Sequence, residues 1–329
     1  MYFEASLKDR ALKFLRLVSK SYARLPRDIT IEVSTRCGQQ CPMCFRAPLG
    51  VRESAMDYGL FSDVVSGLRS AFAPQQPAYI NFVGLGEPFL NGSLGRMLRL
   101  VKTTFPKTGI NVSTSLAVFD RILFESLAAE NVINRISVSV DSPAGGGSLH
   151  PFSGAVAENL DFLGGLKARC DFKIRLQALM SSKERALEVV ELAKRSGADE
   201  VQLMRIDLHA FKGKPPVGRP ALEEERRIVR AAARLGKKYG IRCRNNNSYD
   251  IFMDLASAFD KYCLITDDSV FIDVEGNVLP CFYLRNVSFG NLARTPLSGI
   301  LGKKRGMSFY DEQARLCAGC DIYKRRHRP

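Results

Sequence analysis

No run of apolar residues in this chain is long enough to cross a bilayer, and its start lacks the apolar stretch and small-residue cleavage site of a secretory signal. Both absences predict a cytoplasmic protein. Internal repeats are missing too, and the only low-complexity stretch is Gly145-Gly146-Gly147, which reads as a loop. The sequence also lacks the aromatic-interleaved basic motifs of nucleic-acid-binding modules. Its formal charge of +14 is scattered, with short clusters at Lys303-Lys304-Arg305 and Lys324-Arg325-Arg326. Such scatter reads as a solvated basic surface rather than a nucleic-acid or membrane interface.

What is present is a chain of 329 residues, 46% of them hydrophobic, enough for one large α/β domain and a smaller appendage. It carries nine cysteines. An odd count in a large chain without an export signal speaks against a disulfide framework and for metal ligation in a reducing compartment.

Residues 1–25 read as an amphipathic helix, with Phe3, Leu7, Phe14, Leu15 and Val18 set among Lys8, Arg10, Lys13, Arg16 and Lys20. Packing against the domain is the plain expectation and adhesion to anionic lipid the sharper one. From Pro26 the pattern changes. Short apolar runs at Ile29 to Val33, Tyr79 to Val83, Ile110 to Thr114, Ile136 to Val140, Ile174 to Leu179 and Val201 to Met204 alternate with helical periods. One such period places Phe61, Val64, Val65, Leu68 and Phe72 on a stripe after Asp57, and another places Leu187, Val190 and Ala193 before a stop at Gly197. Strands joined by helical crossovers pair in parallel, so six units predict an α/β fold, a partial (β/α)6 barrel over residues 26–240. Breakers at 209–220 mark a loop, and a charged helix follows from about Leu222 to Gly240. A small α+β domain is expected over 245–329, where Val270 to Val274, Glu275-Gly276-Asn277 and Val278 to Cys281 read as a hairpin.

Cys37, Cys41 and Cys44 form a C-x3-C-x2-C run directly after the first strand, where a parallel sheet presents its strand ends to ligands. Three thiolates on a four-iron cluster leave one iron open to a substrate. On spacing alone a zinc site is the alternative. The run Cys37-Gly38-Gln39-Gln40-Cys41-Pro42-Met43-Cys44, at the head of a six-unit β/α pattern, resembles the radical S-adenosylmethionine superfamily. In that family the open iron of the [4Fe–4S] cluster is chelated by S-adenosylmethionine, which is cleaved to a 5′-deoxyadenosyl radical. The resemblance implies that Cys37, Cys41 and Cys44 are the catalytic cluster ligands and that Met43 lies against the adenine. Gly84-Leu85-Gly86-Glu87-Pro88, after the second strand, resembles the family's Gly-Gly-Glu segment, with Leu85 in place of the second glycine. By resemblance Gly84, Gly86 and Glu87 hold the methionyl ammonium. Polar groups at further strand ends, Ser115, Ser139 and Gln177 foremost and Ser113 and Asp141 after them, are expected to reach the ribose and carboxylate.

Near the other end, Cys263 is followed by twelve residues and Gly276, then by four residues and Cys281, with Cys317-Ala318-Gly319-Cys320 later. This order, with Phe289-Gly290-Asn291-Leu292, resembles the auxiliary-cluster extension called the SPASM domain. No further cysteine follows Cys320. The expectation is therefore the shortened twitch form, with Cys263, Cys281, Cys317 and Cys320 as metal ligands of one auxiliary [4Fe–4S] cluster; four-cysteine zinc is the alternative. A fully ligated cluster would serve electron transfer, which points to net oxidation or bond formation. Cys170 and Cys243 fit neither set and read as small buried hydrophobes. His150, His209 and His327 fall in loops or the tail, with His209 a candidate acid or base beside Arg205 and Asp207.

The resemblance implies hydrogen abstraction from a substrate carbon, with electrons from a donor such as flavodoxin or ferredoxin. Relatives with this extension modify peptides or proteins, while shortened ones include oxidisers of aminosugars and a cyclase of molybdopterin synthesis. The substrate is thus a peptide or protein side chain or a small molecule such as an aminosugar. The roughly 25 residues before the first strand weigh against a leader-binding segment, and the lack of a Gly-Gly tail weighs against the cyclase. The rival from another class is a metal-stabilised protein that binds nucleic acid or a membrane surface without turnover.

Overall fold

The computed structural model describes residues 25–141, 152–206, 211, 217–245, 269–304, 309–318 and 320. Apart from Leu25, the helix expected over residues 1–25 lies outside them, as do the Gly145–Gly147 loop, His150, His209, His327 and Cys263. Among the described residues ten strands form one sheet: β1 (Asp28–Ile31), β2 (Tyr79–Phe82), β3 (Gly109–Thr114), β4 (Arg135–Ser139), β5 (Lys173–Leu179), β6 (Glu200–Met204), β7 (Arg242–Asn245), β8 (Ser269–Ile272), β9 (Asn277–Leu279) and β10 (Gly290–Asn291). Their order is β10-β9-β8-β1-β2-β3-β4-β5-β6-β7. All neighbours from β8 to β7 run parallel, while β9 and β10 are antiparallel. Among the described residues β7 does not pair with β10, so the barrel stays open.

The helices are α1 (Tyr58–Phe72), α2 (Leu94–Thr104), α3 (Arg121–Ala129), α4 (Gly154–Leu166), α5 (Lys183–Arg195), α6 (Leu222–Tyr239), α7 (Leu297–Lys304) and α8 (Phe309–Leu316). Local chemistry sets their starts. The side chain of Asp57 accepts from the backbone of Gly59 and Leu60, and Asp120, Ser153 and Ser182 cap α3, α4 and α5 in the same way. The charged α6 has Glu223, Glu224 and Glu225 in its first turn, Lys237 and Lys238 in its last, and ends on left-handed Gly240, in accord with its macrodipole.

Alternation along the strands divides the sheet into two different faces. Ile29, Ile31, Ile80, Phe82, Ile110, Val112, Ile136, Val138, Ile174, Leu176, Val201 and Leu203 pack under the helices in one core with the α1 stripe Phe61, Val64, Val65, Leu68 and Phe72. On α5 the buried set is Ala186, Val189, Val190, Leu192 and Ala193; Leu187 is only half-buried, one step off the expected stripe. The opposite face is polar: Thr30, Glu32, Asn81, Asn111, Ser137, Arg175, Gln177, Glu200 and Gln202 are all buried there. Parallel strands covered on both faces are ordinarily apolar throughout, so this polar lining marks the interior as a place for ligands rather than for packing.

The structure adds two parallel strands to the six expected. β7 reads Arg-Cys-Arg-Asn and carries a single apolar side chain, Cys243, which leaves an edge strand without hydrophobic periodicity. β8 belongs to the expected C-terminal hairpin, but its hydrogen bonds to β1 make that hairpin a continuation of the barrel sheet.

Low in the barrel, Arg175 and Glu200 are register partners with side chains 1% and 4% exposed. Arg175 Nε donates to Glu200 Oε2 at 2.8 Å. Burial, with Arg135 alongside, pulls the Arg175 guanidinium down to about 10 against the attraction of Glu200. For Glu200 burial works against ionisation, but Arg175, Arg244 and Arg135 outweigh it and hold the carboxyl below its usual range. Removing one member of such a pair strands the other charge. The variant Glu200→Leu, which takes the carboxylate from Arg175, Arg135 and Arg244 together, is therefore expected to lose about 3–5 kcal/mol in urea unfolding, and more than Arg175→Met, after which Arg244 still reaches Glu200 at 3.4 Å.

Candidate active site

The segment after β1 is built around three cysteines and is tied down at several points. Thr35 Oγ1 donates to Arg52 O and accepts from Ser54 N, both at 2.7 Å, and Ser34 bridges to Ala55. Arg46 Nη2 donates to Gln39 O at 2.9 Å and Nη1 to Thr35 O at 3.4 Å, which closes the loop on itself. Within it the Cys44 N–H donates to Cys41 O at 3.0 Å. Cys37, Cys41 and Cys44 lie half-buried, close enough that each ionised sulfur would repel the others. Burial, then the neighbouring sulfurs, pushes the Cys41 thiol up to about 11, and burial pushes up Cys37. Protein groups alone therefore leave these two sulfurs protonated near neutrality.

Glu87 brings the second strand to the same place. It is 3% exposed, and its charge acts on Cys37. Its Oε2 accepts from both Ser115 N and Ser115 Oγ at 2.8 Å, so the end of β3 holds one oxygen, while Oε1 accepts from Phe89 N at 3.4 Å. Burial raises the carboxyl against the pull of Ser115 and Thr114. The turn before it fits against the cysteine segment with no room to spare. A Cβ at Gly86 would stand 2.4 Å from Ser34 O and 2.6 Å from Thr35 C, and one at Gly84 would stand 2.3 Å from Glu32 Cγ. Glu87 N donates to Arg36 O at 2.7 Å, completing the contact between the two segments.

Other expected site residues are placed as follows. Ser139 and Gln177 are register partners on β4 and β5; Ser139 is half-buried, and Gln177 Nε2 donates to Gln202 Oε1 at 2.8 Å. Met43 is buried, packing with Ile206, Leu179, Phe211 and Val217 in a small apolar cluster beyond the end of β6. Asp141 pairs with Arg185 at 3.2 Å, and Arg205 with Glu225 at 2.7 Å, which gives both a structural partner. Cys243 is half-buried with its thiol donating to Ala232 O at 3.1 Å, and Cys170 packs half-buried against the core. At the other cysteine set, Cys281 follows β9, Cys317 is buried at the end of α8, and the Cys320 N–H donates to Cys317 O at 2.9 Å. Cys281 and Cys320 pack half-buried against the same core as Cys317.

Sequence reasoning missed Glu32, Arg285, Arg46 and Asn91. Glu32 is fully buried beneath the glycine turn, where Leu85 N donates to its Oε1 at 2.7 Å, and it is ion-paired with Arg285. Burial raises its carboxyl against the opposing pull of Arg285. Asn91 Nδ2 donates to Val33 O at 2.8 Å and Met56 O at 3.0 Å, stitching the end of β1 to the loop before α1. The signal for Glu32 was there: Thr30, Glu32 and Ser34 alternate with Ile29, Ile31 and Val33, and a carboxylate on the inner face of a strand asks for a partner.

The donor set and its surroundings suit an iron–sulfur cluster. Three cysteine sulfurs share one short loop, two of them, Cys37 and Cys41, pushed up by burial, and Arg46, with a side-chain hydrogen bond to Cys44, offers a donor beside them. The described residues form a partial parallel barrel with three cysteines beyond its first strand and a glycine turn ending in glutamate beyond its second, the arrangement that the sequence resemblance to the radical S-adenosylmethionine superfamily implies. Residues 263–321 match the SPASM family, described as an iron–sulfur cluster-binding domain, a span that opens on Cys263 and takes in Cys281, Cys317 and Cys320.

The fold is similar to that of Streptococcus suis SuiB bound to the precursor peptide SuiA, with 15% identity, 98% of this chain and 77% of that one covered, and a TM-score of 0.69. The same protein bound to S-adenosylmethionine matches with 15% identity, 98% and 78% coverage and a TM-score of 0.70. The protein anSMEcpe with bound AdoMet and the Cp18Cys peptide matches with 16% identity, 91% and 86% coverage and a TM-score of 0.61. No curated protein matches the chain in sequence. Among the described residues no helix is long and apolar enough to cross a membrane.

Proposed function

We propose that the chain is a radical S-adenosylmethionine enzyme that abstracts hydrogen from a carbon of a peptide or protein side chain, with net oxidation or bond formation. The observation that carries this reading is the approach of Glu87 to the Cys37, Cys41 and Cys44 loop across a turn that only glycine at 84 and 86 permits. A [4Fe–4S] cluster on Cys37, Cys41 and Cys44 would supply the electron that cleaves S-adenosylmethionine to the 5′-deoxyadenosyl radical, and one on Cys263, Cys281, Cys317 and Cys320 would supply an electron acceptor. The chain's own residues do the positioning. Glu87 keeps Oε1 as an acceptor for the methionyl ammonium while Ser115 fixes Oε2. Ser139 and Gln177 sit along the inner face to meet the ribose and carboxylate.

Phe45 touches Phe211 at 5.8 Å and Tyr283 at 5.0 Å between ring centres. This joins the cysteine loop, the segment after β6 and the SPASM segment in one aromatic wall that would keep water from a radical. The peptides bound by SuiB and anSMEcpe support a peptide substrate over an aminosugar. The charge of +14 suits docking of an acidic electron donor such as flavodoxin or ferredoxin.

Anaerobically reconstituted and reduced protein is expected to turn S-adenosylmethionine into 5′-deoxyadenosine, faster when the substrate peptide is present, with the peptide losing two hydrogens by mass. Salt-sensitive RNA binding by a protein that yields no 5′-deoxyadenosine would instead favour a metal-stabilised binding protein.

A further inference from the structure

One ion pair links parts of the chain that are far apart in sequence. Glu32, just past β1, is 0% exposed and pairs with Arg285, whose side chain is 18% exposed. Arg285 stands four residues after Cys281, in the SPASM segment, and its guanidinium lies 6.0 Å over the Phe271 ring, which packs on Phe282 at 4.2 Å. The same Glu32 Oε1 that meets Arg285 Nη1 at 3.3 Å accepts from Leu85 N at 2.7 Å. Leu85 is the second residue of the Gly84–Glu87 turn, and Gly84 leaves space for the Glu32 side chain that any Cβ would fill.

We propose that the Glu32–Arg285 pair is a positioning device that makes the geometry of the Gly84–Glu87 turn depend on the folded SPASM segment. The physical reason is the cost of a buried charge. A carboxylate with no exposure stays ionised and in place only while its cation is there. Without Arg285, Glu32 must take a proton or swing toward water, and the acceptor that fixes the Leu85 N–H moves with it. Glu87 follows two residues on, with its own N–H held by Arg36 O at 2.7 Å, so a displaced Leu85 shifts the carboxylate that the proposed function assigns to the methionyl ammonium. The C-terminal segment would thus license cosubstrate binding in the barrel as well as carry a cluster. Glu32 and Arg285 are positioning residues in this account, and the inference rests on the proposed cosubstrate for its binding readout alone.

The test uses the full reconstituted chain with Arg285→Ala, Arg285→Lys and Glu32→Gln. Amide exchange at Leu85 and equilibrium binding of S-adenosylmethionine are read beside the iron content. Arg285→Ala is expected to speed exchange at Leu85 and to weaken cosubstrate binding, each by about tenfold or more, with iron at Cys37, Cys41 and Cys44 retained. Arg285→Lys keeps the charge and should fall between it and the parent, so it preserves the test if the alanine variant does not fold. Glu32→Gln keeps an acceptor but turns its amide donor toward Arg285, and should loosen the turn as Arg285→Ala does. Parent-like exchange at Leu85 in both folded arginine variants would overturn the coupling. A parent protein that binds no S-adenosylmethionine would sink the proposed function instead, while exchange at Leu85 would still decide the coupling.

Discussion

Replacing Cys37, Cys41 and Cys44 together by alanine is expected to abolish 5′-deoxyadenosine formation and the visible absorbance of the first cluster, while the second, SPASM cluster and the fold persist. The fold should survive because the three sulfurs contribute little to packing. All are half-buried in a loop secured by Thr35, Arg46 and the Ser34–Ala55 bridge, whereas the apolar core lies under the helices on the other face of the sheet. Circular dichroism close to that of the parent, with about half the iron and no product, is the expected result. Product at the parent rate from the triple variant, or zinc alone in anaerobically prepared parent protein, would remove the basis of the proposed reaction.

The second large effect is expected from a single methyl group. In Gly86→Ala the new Cβ would meet Ser34 O at 2.4 Å and Thr35 C and Cα at 2.6 Å, and these are backbone atoms with no rotamer to change. The two strand ends must separate, carrying Glu87 away from Cys37. Misplacement by about 1 Å can cost about 100-fold in rate, so 5′-deoxyadenosine formation should fall by that order, with weaker S-adenosylmethionine binding and the iron content unchanged. The same methyl at Gly84 meets the Glu32 side chain, which Arg285 and Leu85 hold, and should have a smaller effect of the same sign. Equilibrium binding measurements on the two variants side by side would show the ranking. Equal affinity in Gly86→Ala and the parent would mean that the turn does not bind the cosubstrate.

The pattern of the chain made the helix-facing half of the barrel legible because hydrophobic alternation is a local signal. Strands β1 to β6 and the α1 stripe lie within a residue or two of where periodicity places them. The cysteine spacing and the glycine turn were legible for the same reason, since each is written in consecutive residues. What escaped is what depends on distant partners. β7 has almost no apolar content and is a strand because β6 offers it hydrogen bonds. Gln202 matters through Gln177, and Arg285 through Glu32, pairings that no local window contains. Arg46 follows the cysteine run by two residues, and only its folded-back bond to Gln39 O reveals it as part of the loop.

Because β8 lies beside β1, with Ile31 opposite Ile272, the first strand of the barrel acquires its second neighbour only after most of the polypeptide has been made. At ordinary elongation rates the ribosome needs on the order of 10–50 s to supply the intervening stretch. For that interval the nascent chain carries the row of backbone groups on one side of β1 uncovered, an open template for pairing with a stranger. The closing of the barrel wall by β8 is thus a late event of biogenesis.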